Sequence, residues 1–249
     1  MLSLEGFGEV AAALAVFFAS HSLPALPGLR ARLIGLLGRR LYLVLHSLVG
    51  TVTLVWLIVA TLDAPYVELW GYHDGTRWVP LLVMPFACML LVAGLTSPNP
   101  FSLGIGAGGF DPARPGVVAV TRHPVLWAAS LWALAHLAAN GELRAVLLFG
   151  ALGGFSLMGT RLFDHRRTQQ MGETEWRQLA AGTSNLPLAA LLAGRASLGP
   201  SAALLWRAGL GLAVYAVILV LPGALFGRSP LTSQGCHSPG GLDRRPRRV

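Results

Sequence analysis

A cation and two imidazoles mark one stretch of the chain, at Thr121-Arg122-His123-Pro124 and at His136, twelve residues beyond Pro124. Arg122 and His123 stand at the start of an apolar segment, and His136 stands inside it. An ionisable side chain at the centre of a bilayer costs about 2.5–3.5 kcal/mol on insertion scales. An imidazole that is kept inside such a segment therefore indicates a functional site.

Helical geometry separates these side chains, because successive residues of a helix turn by about 100°. One face collects Arg122, Ala129, Ala133, His136 and Asn140. His123 lies about 140° from His136, so the two cannot hold one ligand from a straight helix. Small residues beside Trp132 on the His136 face leave room for a bulky ligand. Close helix packing with a hydrogen bond from His136 to a neighbouring helix is equally compatible with this face, so both interpretations stay open.

The composition indicates an integral membrane protein. Of 249 residues, 54% are hydrophobic and 12% are charged, and the mean hydropathy is +0.60, whereas soluble domains carry about 25% charged residues. The net charge of +8 comes from arginines alone, and most of them flank apolar runs, where membrane topology explains them. We therefore expect a lipid bilayer as partner and no nucleic acid.

Six apolar runs are about long enough to cross a membrane as helices. They predict an all-α, polytopic helical bundle, with domain 1–226 in the membrane and an Arg-rich disordered tail at 227–249. The six predicted spans are Phe7–Leu26, Leu41–Leu62, Trp78–Thr96, Pro124–Ala139, Leu143–Leu162 and Ala202–Phe226.

Charge bias predicts the orientation of the bundle. The predicted first loop holds Arg30, Arg32, Arg39 and Arg40 without an acid, which places it in the cytoplasm. The next loop is acidic and faces outward, and the segments around Arg122 and 161–195 fall inside. Six crossings then leave the Arg-rich tail outside, so five or seven crossings remain alternatives.

Other histidines widen the set of candidate ligands. His21 lies in the first predicted span, and His46 lies in a polar stripe of the second, where an interhelical hydrogen bond also accounts for it. No HxxxH, HExxH or ExxH pair is present, which disfavours a bare metal site. Haem needs only axial imidazoles and fits single histidines on separate helices better. His21 and His136 lie roughly 9 Å and 18 Å from the inner face, so a pair of axial ligands requires a tilted haem or a displaced first helix. Arg122 is expected to meet a haem propionate.

Several motifs, in order from about His21 to Gly227, resemble the NnrU family of bacterial multi-pass membrane proteins associated with denitrification. They are His21-Ser22-Leu23-Pro24-Ala25, Gly38-Arg39-Arg40-Leu41-Tyr42, Thr96-Ser97-Pro98-Asn99-Pro100, Thr121-Arg122-His123-Pro124, Leu131-Trp132-Ala133-Leu134-Ala135-His136 and Thr183-Ser184-Asn185-Leu186-Pro187.

NnrU-like proteins are similar to 15-cis-zeta-carotene isomerase, a haem-b membrane enzyme that moves a cis double bond by redox-dependent axial ligation. The resemblance implies haem b on His136 and His21. The sequence leaves open whether His46 or His123 replaces His21 as a ligand. It also implies a hydrophobic or polyene small molecule as substrate. Ala133 stands where that enzyme has a cysteine, so a sulfur-for-imidazole switch is not expected.

The same C-terminal half also resembles the isoprenylcysteine carboxyl methyltransferase superfamily, which binds S-adenosylmethionine at the cytoplasmic face. The matching positions are Arg122, His123, Arg161, Glu173 and Trp176. Three functions are therefore weighed. The first is a haem-b protein of the bacterial inner membrane, acting as an isomerase-like enzyme or as an accessory factor in denitrification. The second is a membrane methyltransferase, and the third is a non-enzymatic partner of other membrane proteins.

Overall fold

The protein is built from helices, as predicted. The computed structural model describes residues 6–71, 75–199 and 201–226, with side chains up to residue 221. The predicted tail at 227–249 lies outside the described residues. Within those ranges there are a short 3-10 helix, Gly116–Ala119, and the α-helices α1 Gly8–Ser22, α2 Pro27–Asp63, α3 Trp78–Thr96, α4 Pro124–Ala139, α5 Leu143–Met171, α6 Glu173–Ala180, α7 Ala189–Leu192 and α8 Ala202–Phe226.

Four of the helices, α2, α3, α5 and α8, are long and apolar enough to cross a membrane, and α1 and α4 are shorter apolar helices. Together they agree with a bundle of about six spans. At 1.5 Å per residue, α1 and α4 are about 22–24 Å long, whereas the hydrocarbon core is about 30 Å thick. Backbone that continues beyond α4 at membrane depth must therefore find its hydrogen bonds within the protein.

The first predicted loop is wrong, because the arginine-rich segment is helical. α2 begins at Pro27, and Gly38 interrupts it with a φ of 75° and a ψ of 156°. Proline at the first helical position and a run of leucine and arginine favour a helix here. Gly38 then breaks it, because glycine adopts positive φ without a Cβ clash. The four arginines flank this kink instead of a loop.

The helices pack in a chain of neighbours. α1 packs on α2, α4 packs on α3 and α5, and α8 packs on α3. A Cβ on Gly94 would lie 2.8 Å from Val125, and one on Gly211 would lie 2.6 Å from Met89, so glycines permit both crossings of α3. These contacts place Arg122 at one end of the bundle and Arg77, the residue before α3, at the other. The two ends are called the Arg122 end and the Arg77 end.

Candidate functional site

An apolar cavity of about 680 Å³ lies between α3, α4 and α8. This volume falls within the range of small-molecule and cofactor pockets, about 300–1,000 Å³. α3 and α8 supply mainly aliphatic walls, and α4 supplies Ala129, Trp132, His136 and Asn140. Ala133 is fully buried on another side, 3.3 Å from where a Cβ on Gly153 of α5 would lie. The space beside Trp132 is thus large enough for a bulky ligand.

His136 is oriented by its own helix. Its Nδ1 donates to the carbonyl oxygen of Trp132 at 2.8 Å, and its ring packs against Phe149 of α5 at 5.3 Å. Among the described residues Nε2 has no hydrogen-bond partner. The hydrogen bond to Trp132 keeps the proton of the neutral imidazole on Nδ1. Nε2 then carries a lone pair, which is the form in which a histidine binds a metal. Within the described residues, His136 makes no hydrogen bond to a neighbouring helix.

Most polar groups of the cavity lie toward its Arg77 end. Arg77 and Asn140 line the cavity there, and Nη1 of Arg77 is buried without a hydrogen-bond partner in the described part of the chain. Cys88 lies farther along α3 and is a buried free thiol. Tyr215 of α8 also lines the cavity, but its hydroxyl already donates to the carbonyl oxygen of Leu81 at 2.9 Å.

His21 does not line this cavity. Its Nδ1 donates to the carbonyl oxygen of Phe17 at 2.8 Å, and a Cβ on Gly50 of α2 would lie 3.0 Å from its Nε2. The ring lies 6.1 Å from that of His46 and 5.9 Å from that of Phe155. The structure therefore brings His21 together with His46 and not with His136.

Arg122 and His123 lie at the other end of α4 and bind one carboxylate, Asp164. Arg122 donates to Asp164 through Nε at 3.0 Å and through Nη2 at 2.7 Å. His123 is fully buried, and its Nε2 donates to Oδ1 of Asp164 at 2.9 Å. The Arg122 guanidinium also stacks over Trp176 at 5.1 Å. The sequence predicts Arg122 on the helix face of His136, but Arg122 precedes α4 and does not line the cavity that His136 lines. Its guanidinium contacts Asp164 and not the space that a haem propionate would occupy.

Loop residues complete this cluster and provide hydrogen bonds for the backbone just before α4. The Arg122 N–H donates to Ser184, and the Thr121 hydroxyl donates to the carbonyl oxygen of Asn185 at 2.7 Å. Asn185 in turn donates to the Thr160 hydroxyl at 3.1 Å. Asn99, which is almost fully buried, donates to the carbonyl oxygen of Arg122 at 2.9 Å. These bonds allow non-helical backbone to approach the membrane, as the short α4 requires.

Sequence reasoning gave no role to Asp164, which begins the charged stretch Asp164-His165-Arg166-Arg167. This stretch is helical, since α5 runs on to Met171. The sequence position of Asp164 could have revealed it, because Asp164 directly follows the apolar run that ends at Phe163. A lone acid at that depth needs a cation as partner. Arg77 and Tyr215 gave no comparable signal, because their partners are distant in sequence or absent among the described residues.

The residues that match the methyltransferase pattern are only partly brought together. Arg122, His123 and Trp176 meet in the Asp164 cluster, but Arg161 is exposed on α5. Glu173 forms an ion pair with Arg177 on the surface of α6. Among the described residues, no three or more histidine, cysteine, aspartate or glutamate side chains form a group that could hold a metal ion.

The helices and the cavity define a polytopic α-helical membrane protein with an apolar, ligand-sized cavity between its helices. The chain belongs to the NnrU family, because a family model described as NnrU protein matches residues 9–230. No curated protein and no solved structure matches it. Multi-pass membrane insertion follows from the apolar helices and from the family.

Proposed function

We propose that this NnrU-family protein binds haem b in the apolar cavity, with His136 as the iron ligand. In this proposal it resides in the inner membrane of a bacterium and serves nitrogen-oxide respiration. It acts there either as an isomerase-like enzyme on a hydrophobic or polyene substrate, or as an accessory factor. One observation carries the proposal: on the wall of a cavity of about 680 Å³, an imidazole is held through Nδ1 while its Nε2 has no hydrogen-bond partner among the described residues.

The described residues suit a haem that is held by one imidazole. His136 is the only histidine among the described residues that line the cavity. A planar macrocycle matches the flat side chain of Trp132 and the alanines of α4. The second ligand expected from the sequence, His21, lies in another cluster, so the proposal now contains a single protein ligand. Bound haem would supply redox chemistry and an open coordination position.

The protein's own residues perform three tasks in this proposal. The carbonyl oxygen of Trp132 holds the imidazole in its ligating tautomer. Phe149 packs on the ring and restricts its rotation. The aliphatic walls from α3 and α8 exclude water, which keeps the site at a low dielectric constant and favours an occupant with a largely apolar body.

A reduced-minus-oxidised spectrum of the protein, purified in detergent and supplemented with haem, tests the proposal. We expect a Soret band and an α band in the natural protein and in His21→Ala. We expect both bands to be lost in His136→Ala and partly restored by added imidazole, which can enter the space left by the missing ring.

Two outcomes would contradict the proposal. The bands could persist unchanged in His136→Ala, or no band could form at all. The second result would favour a membrane partner protein without a cofactor. His46→Ala is the matched control, because it removes a histidine of another helix that does not line the cavity. If the bands were lost only in His21→Ala, the iron ligand would be His21 of the first helix and not His136.

No observation among the described residues favours the methyltransferase alternative. Arg122 and His123 already bind Asp164, and Arg161 lies apart from them on the surface. Calorimetric titration with S-adenosylmethionine and with its demethylated product tests that alternative directly. We expect no heat of binding.

A further inference from the structure

We propose that the cavity selects an occupant with a carboxylate on an apolar body, and that Arg77 binds this carboxylate. The inference rests on the cavity of the proposed function and adds to it a recognition group for one end of the ligand. The observation that carries it is a buried guanidinium nitrogen, without a partner among the described residues, on a residue at one end of a largely apolar cavity.

Arg77 has a donor that no other described residue uses. It precedes α3, its guanidinium lies 5.7 Å from the ring centroid of Trp78, and its Nη1 is buried without a hydrogen-bond partner among the described residues. Buried polar groups in native proteins are nearly always hydrogen-bonded, so each exception needs an explanation. Arg77 also lines the cavity, so a carboxylate held at this end of the cavity can contact its guanidinium.

The cavity is polar at one end and apolar along the rest of its length. α3 and α4 run antiparallel, and Gly94 of α3 approaches Val125 of α4 at the far end. Arg77 therefore lies level with the C-terminal end of α4, where His136 and Asn140 line the same cavity. From Arg77 to Leu91, the lining extends along about 20 Å of α3. An amphiphile with one charged end fits this polarity.

Charge favours a carboxylate over a larger anion. Arg77 is the only charged side chain among the described residues that line the cavity. One carboxylate group neutralises its guanidinium, whereas one doubly charged phosphate group would leave excess charge in an apolar space. Of the two propionates of a haem, Arg77 would therefore pair with one. Guanidinium groups also match the planar geometry of carboxylates. Porphyrin propionates and long-chain carboxylic acids share this chemistry, and the experiment separates them.

The test compares acids with their esters on purified protein in detergent. One pair is haem b and its dimethyl ester, followed by the Soret band. The other is a fluorescent long-chain fatty acid and its methyl ester, followed by fluorescence. We expect the acid of at least one pair to bind about tenfold or more tightly than its ester, the range spanned by hydrogen bonds to charged groups. A preference in one pair identifies the source of the carboxylate.

Variants assign the preference to Arg77. We expect Arg77→Gln to lose the acid preference and to keep the affinity for the ester, which also reports that the cavity is intact. If Arg77→Gln does not fold, Arg77→Lys takes its place in the test. It retains a cation, so we expect it to keep part of the preference for the acid. Arg144→Gln is the matched control, because Arg144 lies at the same end and is already paired with Glu142 at 3.0 Å.

The outcomes separate this inference from the haem proposal. Equal affinity of the natural protein for acid and ester in both pairs, or a preference that survives Arg77→Gln, would overturn it. If haem binds through His136 and its dimethyl ester binds equally well, the haem proposal is supported and the role of Arg77 in binding a haem propionate is contradicted. If no Soret band forms but the fatty acid binds more tightly than its ester, the carboxylate-binding role of Arg77 is supported and the haem proposal is contradicted.

Discussion

Asp164 shows how much one carboxylate can organise near a membrane surface. It accepts two bonds from Arg122 and one from His123, and the side chains of these residues are 17%, 11% and 0% exposed, respectively. Asp164 lies within α5, His123 caps the N-terminus of α4, and Arg122 belongs to the loop before α4. A buried ion pair adds little net stability compared with apolar packing, but removing one partner leaves the other charge uncompensated. The cluster therefore fixes the geometry of the Arg122 end.

Asp164→Asn should lower the free energy of unfolding by about 3–5 kcal/mol, because it leaves the Arg122 guanidinium partly buried without its counter-charge. Thermal or denaturant unfolding in detergent measures this change. Asp111→Asn is the control, since its ion pair with Arg114 lies on the surface and should contribute almost nothing. Equal stability of the two variants would contradict the assigned role of Asp164.

Gly50→Ala tests the placement of His21 at the same scale. The new Cβ would lie 3.0 Å from Nε2 of His21, so the imidazole has to move. We expect a loss of about 1–3 kcal/mol, which is the usual cost of overpacking. In a His21→Ala background the same substitution should cost much less, because the obstructing ring is gone. Additive costs in this double-mutant cycle would show that the two residues do not touch.

At the scale of elements, a proline in α3 explains a contact with α8. Pro85 has no N–H to donate to the carbonyl oxygen of Leu81, four residues earlier in the helix. In a bilayer that carbonyl needs another donor, and the Tyr215 hydroxyl supplies it at 2.9 Å. The irregularity of one helix thus becomes an attachment point for the next.

Tyr215→Phe should therefore destabilise the protein by about 1–3 kcal/mol, the cost of an unsatisfied buried carbonyl. Pro85→Ala restores a backbone donor for Leu81, so Tyr215→Phe should be nearly neutral in that background. Unfolding of the two single variants and of the double variant completes the cycle. The same cost in both backgrounds would mean that the hydroxyl does not compensate for the proline.

At the scale of the molecule, the two ends of the bundle should face different compartments. The arginines around Gly38 and near the Asp164 cluster predict a cytoplasmic Arg122 end. In a variant without Cys88 and Cys236, Arg114→Cys should react with a membrane-impermeant maleimide only in inverted vesicles. Tyr66→Cys, at an exposed position of the Arg77 end, should react only in intact cells. The reverse pattern would invert the topology.

The apolar runs predicted the helices well, because hydropathy and length are local properties. The bounds Trp78–Thr96, Pro124–Ala139 and Ala202–Phe226 match the structure. The sequence predicted a loop at residues 30–40, because charged residues between two apolar runs are typical of a loop. The structure has a helix there that is interrupted at Gly38. Helix periodicity also placed His136 beside Trp132, and both line the cavity.

Partners that are distant in sequence could not be predicted. Single histidines on two helices suggested a pair, but only the packing shows that His21 meets Gly50 and His46. In the same way, the sequence contains Pro85 and Tyr215 without indicating that they compensate for each other. The family match constrains the class of protein, whereas the positions of side chains come from the three-dimensional arrangement.

The arrangement of α8 has a consequence for how the cavity fills. α8 packs on α3, and the cavity separates it from α4. Ile218 lines the cavity and is still 48% exposed, so the space opens sideways between helices. A molecule that enters there comes from the hydrocarbon phase, and its loading would follow its mole fraction in the lipid. The membrane would then act as a two-dimensional reservoir in which partitioning and lateral diffusion set the occupancy of the protein.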